Sequence, residues 1–294
     1  MKIIKINVEE EIYPQRLLKT KNFPTDIYAI GNIELLNAKS TLGIVGSRNC
    51  SDYGRKVASE FAKMLSKRGI CIISGIAIGV DGTAHNAAIE EQGKTIAVLG
   101  GGLNYIYPQE NEWLFHKILN KGGCIISEYP PEEEPDKSKF PIRNRIISGL
   151  SDAVLVVEAE HRSGSTITAK YAKNEGKLVY AIPSNIYSST GIGTNRLIQE
   201  GAILITNPKQ IISELKNNEH VEDEVCNIKN TDANIILSKE YLEVYKILSD
   251  EPMHINEIAR KLNKEIYEIT PIITMMEIEG YAIQPQINYF TRNK

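Results

Sequence analysis

The run Phe140-Pro141-Ile142-Arg143-Asn144-Arg145-Ile146-Ile147-Ser148-Gly149-Leu150-Ser151 sets two arginines and an asparagine between a turn-forming proline and an apolar stretch. Arg143 and Arg145 are therefore held beside a buried element. A guanidinium anchored this way suits phosphate, because its planar fork donates bidentately to anionic oxygens and stays charged at any cellular pH. Phe140 adds an aromatic face. A base stacked on such a ring beside cations is how single-stranded nucleic acid is often gripped, at roughly 1–3 kcal/mol per base. A loop whose arginines pair with nearby carboxylates would read the same way, and these residues alone leave both readings open.

Three further loops carry chemistry-bearing types. Gly43-Ile44-Val45-Gly46-Ser47-Arg48 leads through Tyr53-Gly54 into a helical pattern, so backbone N–H groups, a hydroxyl and a guanidinium come together as an anion site. It has neither the dinucleotide fingerprint nor the Gly-Lys-Ser/Thr ending of a Walker loop. In Ser74-Gly75-Ile76-Ala77-Ile78-Gly79-Val80-Asp81-Gly82, three glycines allow close backbone approach, and Asp81 and His85 stand four apart. That pair could exchange protons with a substrate, but Asp81 also suits the first turn of a helix. No second carboxylate, serine or metal-ligand cluster accompanies it in sequence, which favours the structural role. In Glu158-Ala159-Glu160-His161-Arg162-Ser163-Gly164-Ser165-Thr166, a hydroxyl-rich stretch enters a helix, where Ser163 or Ser165 can cap it, hold an anion, or both. Glu132-Glu133-Glu134 reads as a solvated loop.

What positions these loops is a repeating pattern of short apolar runs, each followed by a glycine-containing loop and a helical stretch. The runs are 42–45, 70–73, 96–99, 124–126, 153–157, 178–182 and 202–205. Continuous rather than alternating hydrophobicity means both faces are covered, which predicts a doubly wound, mostly parallel α/β sheet. Ligands in such sheets sit at the carboxyl ends of the strands, where the unusual loops all fall. From 217 to 236 the chain turns polar and acidic and reads as a linker. Helical patterns at 239–248, 255–262 and 266–278, then a hairpin pattern around Gly280-Tyr281 and Tyr289-Phe290, predict a small winged helix over 237–294.

The formal net charge of −3 conceals an uneven distribution: residues 1–216 carry 26 Lys and Arg against 23 Asp and Glu, whereas 217–294 carry 8 against 14. A site for a phosphate backbone belongs in the first part. No signal-peptide core and no run approaching the ~20 apolar residues of a membrane span is present, so a cytoplasmic protein is expected. The four cysteines lack the paired spacing of zinc or redox motifs; Cys71 and Cys124 open apolar runs and are expected to be buried thiols.

In order along the chain, several motifs together resemble the DNA-processing protein A family, also called DprA or Smf. They are Gly46-Ser47-Arg48, Ser74 through Asp81 with Ala84-His85, Thr95 through Gly100, Tyr107-Pro108, Ser127-Glu128, Phe140 through Ser151, Val157-Glu158-Ala159, Ser163-Gly164-Ser165 with Thr168-Ala169, and Gly193-Thr194-Asn195. The resemblance spans about Tyr13 to Ala202. It implies an extended Rossmann-like domain over 41–216, preceded by a short extension, 1–40, that packs on the core. It also implies a non-enzymatic, dimeric protein without cofactor or metal, which binds single-stranded DNA and brings the RecA recombinase onto it during natural transformation and homologous recombination. Carried over position by position, Ser47 and Arg48, with Gly46 beside them, would hold a phosphate. Arg143, Asn144 and Arg145 would line the same groove, Lys137 and Lys139 would add charge, Phe140 would offer a stacking face, and Ser163, Gly164, Ser165 and Thr166 would receive the next phosphate.

The chain departs from the family pattern in three places. A sterile-alpha-motif domain is not expected, because Tyr13-Pro14 and Phe23-Pro24 lie so near the start. Pro183-Ser184 stands where Pro-Gly is usual. The third helix of the winged helix carries Glu265, Glu268, Glu277 and Glu279 with no Lys or Arg between them, so it is expected to contact protein rather than DNA. The competing reading is a Rossmann-like nucleotide-binding or nucleotide-processing enzyme that works through Asp81, His85 or Glu158. A transcription regulator acting through the winged helix is disfavoured by the same acidic helix.

Overall fold

The computed structural model describes residues 2–161, 163–217, 239–249, 251–278 and 281–292. Contacts divide the chain into two units, Met1–Val221 and Glu222–Lys294. The expected linker at 217–236 lies, apart from Asn217, outside the described residues.

The first unit holds nine strands: β1 (Ile4–Asn7), β2 (Asp26–Gly31), β3 (Thr41–Val45), β4 (Cys71–Ser74), β5 (Thr95–Val98), β6 (Cys124–Ser127), β7 (Ala153–Val156), β8 (Leu178–Ala181) and β9 (Ile203–Leu204). Its helices are α1 (Gln15–Leu18), α2 (Asp52–Lys67), α3 (Val80–Glu90), α4 (Glu112–Asn120), α5 (Lys139–Leu150), α6 (Gly164–Asn174), α7 (Ile192–Gln199) and α8 (Pro208–Asn217). The sheet order is β1-β2-β6-β5-β4-β3-β7-β8-β9. Strands β3 to β9 are parallel, the doubly wound arrangement that the apolar runs predict. The sequence reading assigned no strand before residue 41. There β1 and β2 extend the sheet antiparallel, β2 pairing with β6, and Ile6, Tyr13, Leu17 and Ile27 join the core on one face.

Neighbouring residues of one strand serve opposite faces, as the two-residue repeat requires. Cys71, Ile73, Val154 and Val156 pack with α5 and α6 through Ile146, Ile147, Leu150, Ala169 and Ala172. Ile72, Ala153 and Leu155 pack with α2, α3 and α8 through Ala58, Phe61, Leu65, Ala84 and Ile211. Spacings such as 58, 61, 62 and 65 put one apolar stripe of α2 on the sheet and leave its opposite face polar. Cys50, Cys71 and Cys124 are buried free thiols; burial pushes the Cys71 and Cys124 thiols up to about 12. The strand order reverses between β3 and β7. Their carboxyl ends therefore flank the crevice where open α/β sheets receive ligands.

The second unit contains α9 (Lys239–Ile247), β10 (Met253–His254), α10 (Ile255–Leu262), α11 (Ile266–Ile278), β11 (Ala282–Gln286) and β12 (Tyr289–Arg292). Its sheet runs β10-β12-β11, antiparallel, and Val244, Leu248, Ile258, Ile269, Ile273, Met276 and Phe290 form a core of its own. This is a winged helix. Glu265, Glu268 and Glu277 are exposed on and beside α11; Glu279 lies outside the described residues. No helix among the described residues is long and apolar enough to cross a membrane.

Candidate nucleic-acid interface

A groove of two adjoining chambers opens at the crevice between the carboxyl ends of β3 and β7. The first, about 440 Å³, is lined by the β3 loop (Gly46, Ser47, Arg48), by Lys137, Phe140, Arg143 and Asn144 around α5, and by Ser163, Gly164 and Ser165 at the start of α6. The second, about 670 Å³, lies toward β4 and β5 and shares Arg48, Ala77, Tyr107, Phe140 and Arg143 with the first.

Glycines build the walls. A Cβ on Gly79, whose φ of +82° is left-handed, would lie 2.4 Å from the Ser47 carbonyl oxygen, so only glycine lets the β4–α3 loop press against the β3 loop. A Cβ on Gly75 would lie 2.5 Å from Arg143 Nη2, so this glycine leaves the space the guanidinium occupies. Between them Ile76, a β-branched residue, sits at φ 56°, with its carbonyl accepting from Asn111 Nδ2 at 2.8 Å. Such backbone is costly and persists only where the surroundings impose it.

The cations differ in their freedom. Arg48 is exposed, and its guanidinium lies 5.3 Å from the centre of the Phe140 ring. No ion pair or side-chain hydrogen bond links Arg48 or Lys137 to the described residues, leaving both charges open to a ligand. Arg143 is only 5% exposed. It donates from Nη1 to the Gly75 carbonyl at 2.9 Å and to the Val98 carbonyl, and from Nε to Asn144 Oδ1 at 3.2 Å. Burial lowers its pKa to about 10, opposed by the nearby Asp81 carboxylate. It is a clamp between β4, β5 and α5 at the floor of the groove. Burial raises the pKa of Asp81, which accepts from the Gly75 N–H at 3.1 Å.

Some of the thirteen residues singled out from the sequence lie elsewhere. Arg145 does not line the groove; it is half-buried and paired with Glu128. The stretch is helix α5, and two residues apart on a helix is a turn of roughly 200°, so Arg143 and Arg145 leave on opposite sides. Lys139 is held by the Glu133 carboxylate at 2.6 Å and the Glu134 carbonyl at 2.7 Å, over the Tyr129 ring, and lines neither chamber. Part of the acidic run is thus a clamp rather than a solvated loop. Thr166 bonds the Ser163 carbonyl at 2.7 Å and faces a separate cavity beyond α6. Ser163 caps α6 and its hydroxyl meets that of Ser165 at 2.8 Å, beside the open helix start. Asn144 donates to the Gly164 carbonyl at 3.1 Å, tying α5 to that start.

The start of α2 is already filled by a protein anion: Glu158 accepts from Ser51 N at 2.8 Å, Ser51 Oγ at 2.6 Å and Thr190 Oγ1 at 3.1 Å. Asp81 and His85 do not act as a pair. His85 is fully buried and bonds Thr95 Oγ1 through Nδ1 at 2.6 Å, and burial lowers its pKa to about 3. His85 and Glu158 of the enzyme reading are thus bound into the fold, while Asp81, 7% exposed, also lines the first chamber. Among the described residues no group of three or more His, Cys, Asp or Glu could hold a metal. The aromatic partner that sequence reasoning did not place is Tyr107, stacked on Phe140 at 5.3 Å and 16°. Phe140 thus carries Tyr107 and Arg48 and is not an open face. Its own place depends on Gly100, where a Cβ would come within 2.6 Å of the ring. The Pro183-Ser184 turn is held by Asn195, which accepts from Ser184 N at 3.0 Å and donates to the Ser184 carbonyl at 2.9 Å.

The family model for DNA recombination-mediator protein A matches residues 5–216, nearly the whole first unit and every loop of the groove. The chain belongs to that family. It is 37% identical to protein Smf of Escherichia coli strain K12, covering 94% of this chain and 74% of that one. It is 41% identical to the DNA processing protein DprA of Streptococcus pneumoniae, covering 71% and 73%. The X-ray structure of DprA from Streptococcus pneumoniae superposes with a TM-score of 0.68 at 40% identity, over 73% of this chain and 75% of that one. DNA processing protein A from Helicobacter pylori, whose structure concerns its single-stranded DNA binding mode, gives 0.67 at 30% identity, over 75% and 98%. This DprA family consists of DNA-processing and recombination-mediator proteins, not known as enzymes.

Proposed function

We propose that this chain is a cytoplasmic, homodimeric, non-enzymatic binding protein for single-stranded DNA, which protects incoming strands and loads the RecA recombinase onto them. The observation that carries the reading is the meeting, at one switch point, of the uncommitted cations Arg48 and Lys137 with the open N-terminus of α6 and the aromatic pair Tyr107 and Phe140. The Helicobacter pylori relative's DNA-binding structure supports the ligand. Of the residues singled out from sequence, Gly46, Ser47, Arg48, Lys137, Phe140, Arg143, Asn144, Ser163, Gly164 and Ser165 form the proposed site. Domain limits at about 41–216 and 237–294 belong to the same proposal.

Binding of labelled oligo-dT across a salt series tests it, with duplex of equal length as control. Arg48→Ala and Lys137→Ala are each expected to weaken binding and flatten the logarithmic salt slope by about 0.7, the value for one single-strand phosphate no longer neutralised. Binding indifferent to both changes, or equal for duplex, would overturn the site. RecA loading is read separately, as faster filament assembly on DNA that a single-strand-binding protein already covers; no acceleration would remove that part alone.

A further inference from the structure

In α11 the residues Ile269, Ile273 and Met276 are buried in the core of the second unit, and the opposite side of the helix is exposed. The third helix of a winged helix enters the major groove when it reads DNA, and it then needs Lys or Arg for the phosphates. This helix carries neither, and Lys264 just before it is paired with Glu243 at 2.9 Å. Its exposed side is apolar instead. Tyr267, Pro271 and Met275 follow one another at four-residue spacing and form a single ridge about 12 Å long. Tyr267 is 74% exposed and Met275 44%.

The groups that flank this ridge accept hydrogen bonds and carry negative charge. By the 3.6-residue repeat, Glu268 lies on one flank and Glu277 on the other, and neither is ion-paired among the described residues. Glu268 is steadied by the Glu265 N–H, which donates to it at 2.8 Å. The Thr270 hydroxyl gives its proton to the Ile266 carbonyl at 2.7 Å and keeps only lone pairs to offer. Pro271 has no N–H, so the Tyr267 carbonyl lacks its helical donor. A matching surface must bring apolar anchors at helical spacing and cationic donors on long stems at their edges, which describes a basic amphipathic helix. A second copy of the face would set carboxylates against carboxylates. The chain's own segment 218–238 offers one Lys against five Asp and Glu. We propose that the ridge of Tyr267, Pro271 and Met275 is a docking face for a basic amphipathic helix of another protein, whose apolar side covers the ridge while its Lys or Arg side chains meet Glu268 and Glu277.

The full-length chain is titrated with a fluorescently labelled peptide of about 14 residues, long enough to match the ridge, with leucines on one helical face and lysines on the other. A peptide of the same composition in scrambled order is expected to bind about tenfold more weakly, as is the ordered peptide to Tyr267→Ala, because both lose the apolar contact. Glu277→Gln is expected to weaken binding about threefold and to reduce its salt dependence. Glu132→Gln, which removes an exposed carboxylate from the first unit, is expected to leave binding unchanged. All these positions are exposed, so unaltered circular dichroism is expected of each variant. Equal affinity for ordered and scrambled peptides, or binding indifferent to Tyr267→Ala and Glu277→Gln, overturns the docking face. Self-association of the chain that Tyr267→Ala abolishes overturns it in favour of a second copy. Duplex binding that Tyr267→Ala abolishes overturns it in favour of DNA.

Discussion

Arg48 and Arg143 line one groove, and their surroundings give them different work. Arg48 is exposed over an aromatic ring and keeps its hydrogen-bonding capacity for a ligand. Arg143 spends most of its capacity on the Gly75 and Val98 carbonyls and Asn144, with Asp81 nearby. Arg143→Met is therefore expected to lower stability by roughly 3 kcal/mol, because two carbonyls lose a charged donor and Asp81 stays buried without a countercharge. Arg48→Ala is expected to change stability by less than about 0.5 kcal/mol. Urea unfolding of the two variants checks this. A loss of DNA binding in Arg143→Met without any loss of stability would make it a ligand-contacting residue instead of a clamp.

At the scale of elements, α3 is tied to the sheet by His85 and to the β3 loop by Gly79. His85 is neutral in the folded protein, its pKa about 3 against about 6.5 when unfolded. The unfolded chain thus binds the extra proton first. The stability from this group is complete above about pH 6.5 and is lost as pH falls toward 3, by at most about 1.4 kcal/mol per pH unit. His85→Gln is expected to make the acid side of the stability profile shallower by one proton, measured by urea unfolding between pH 7 and pH 4.5; parallel profiles would contradict the buried neutral imidazole. Gly79→Ala is expected to cost more than about 1 kcal/mol, since it forces a Cβ into a left-handed residue 2.4 Å from the Ser47 carbonyl. It should also weaken DNA binding by displacing Arg48, whereas alanine at Gly69, a left-handed site with nothing within 4 Å, should affect stability alone.

At the scale of the molecule, each unit has its own core, so unfolding need not be a single event. Trp113, the one tryptophan, lies in the first unit, whereas helix content comes from both. In a urea titration, tryptophan fluorescence is expected to report one transition, and far-ultraviolet circular dichroism a second besides it. Superimposable curves would mean that the units unfold together.

The parallel sheet, the winged helix and most of the groove were legible in the sequence. Continuous apolar runs mark strands covered on both faces, and loops at their carboxyl ends carry the Gly-Ser-Arg and Ser-Gly-Ser patterns. Residues 1–40 were not legible as strands, because β1 and β2 are short, β1 pairs only with β2, and β2 joins the sheet only by pairing with β6 across the fold. The tertiary structure decided which charges are free. Sequence shows an arginine's type but not its carboxylate: Glu128 takes Arg145, Glu133 takes Lys139, and backbone carbonyls take Arg143. It also shows that Phe140 is aromatic but not that Tyr107, 33 positions earlier, covers it. Strand order and helix phase set such pairings, and both are properties of the packed sheet rather than of any local stretch of chain.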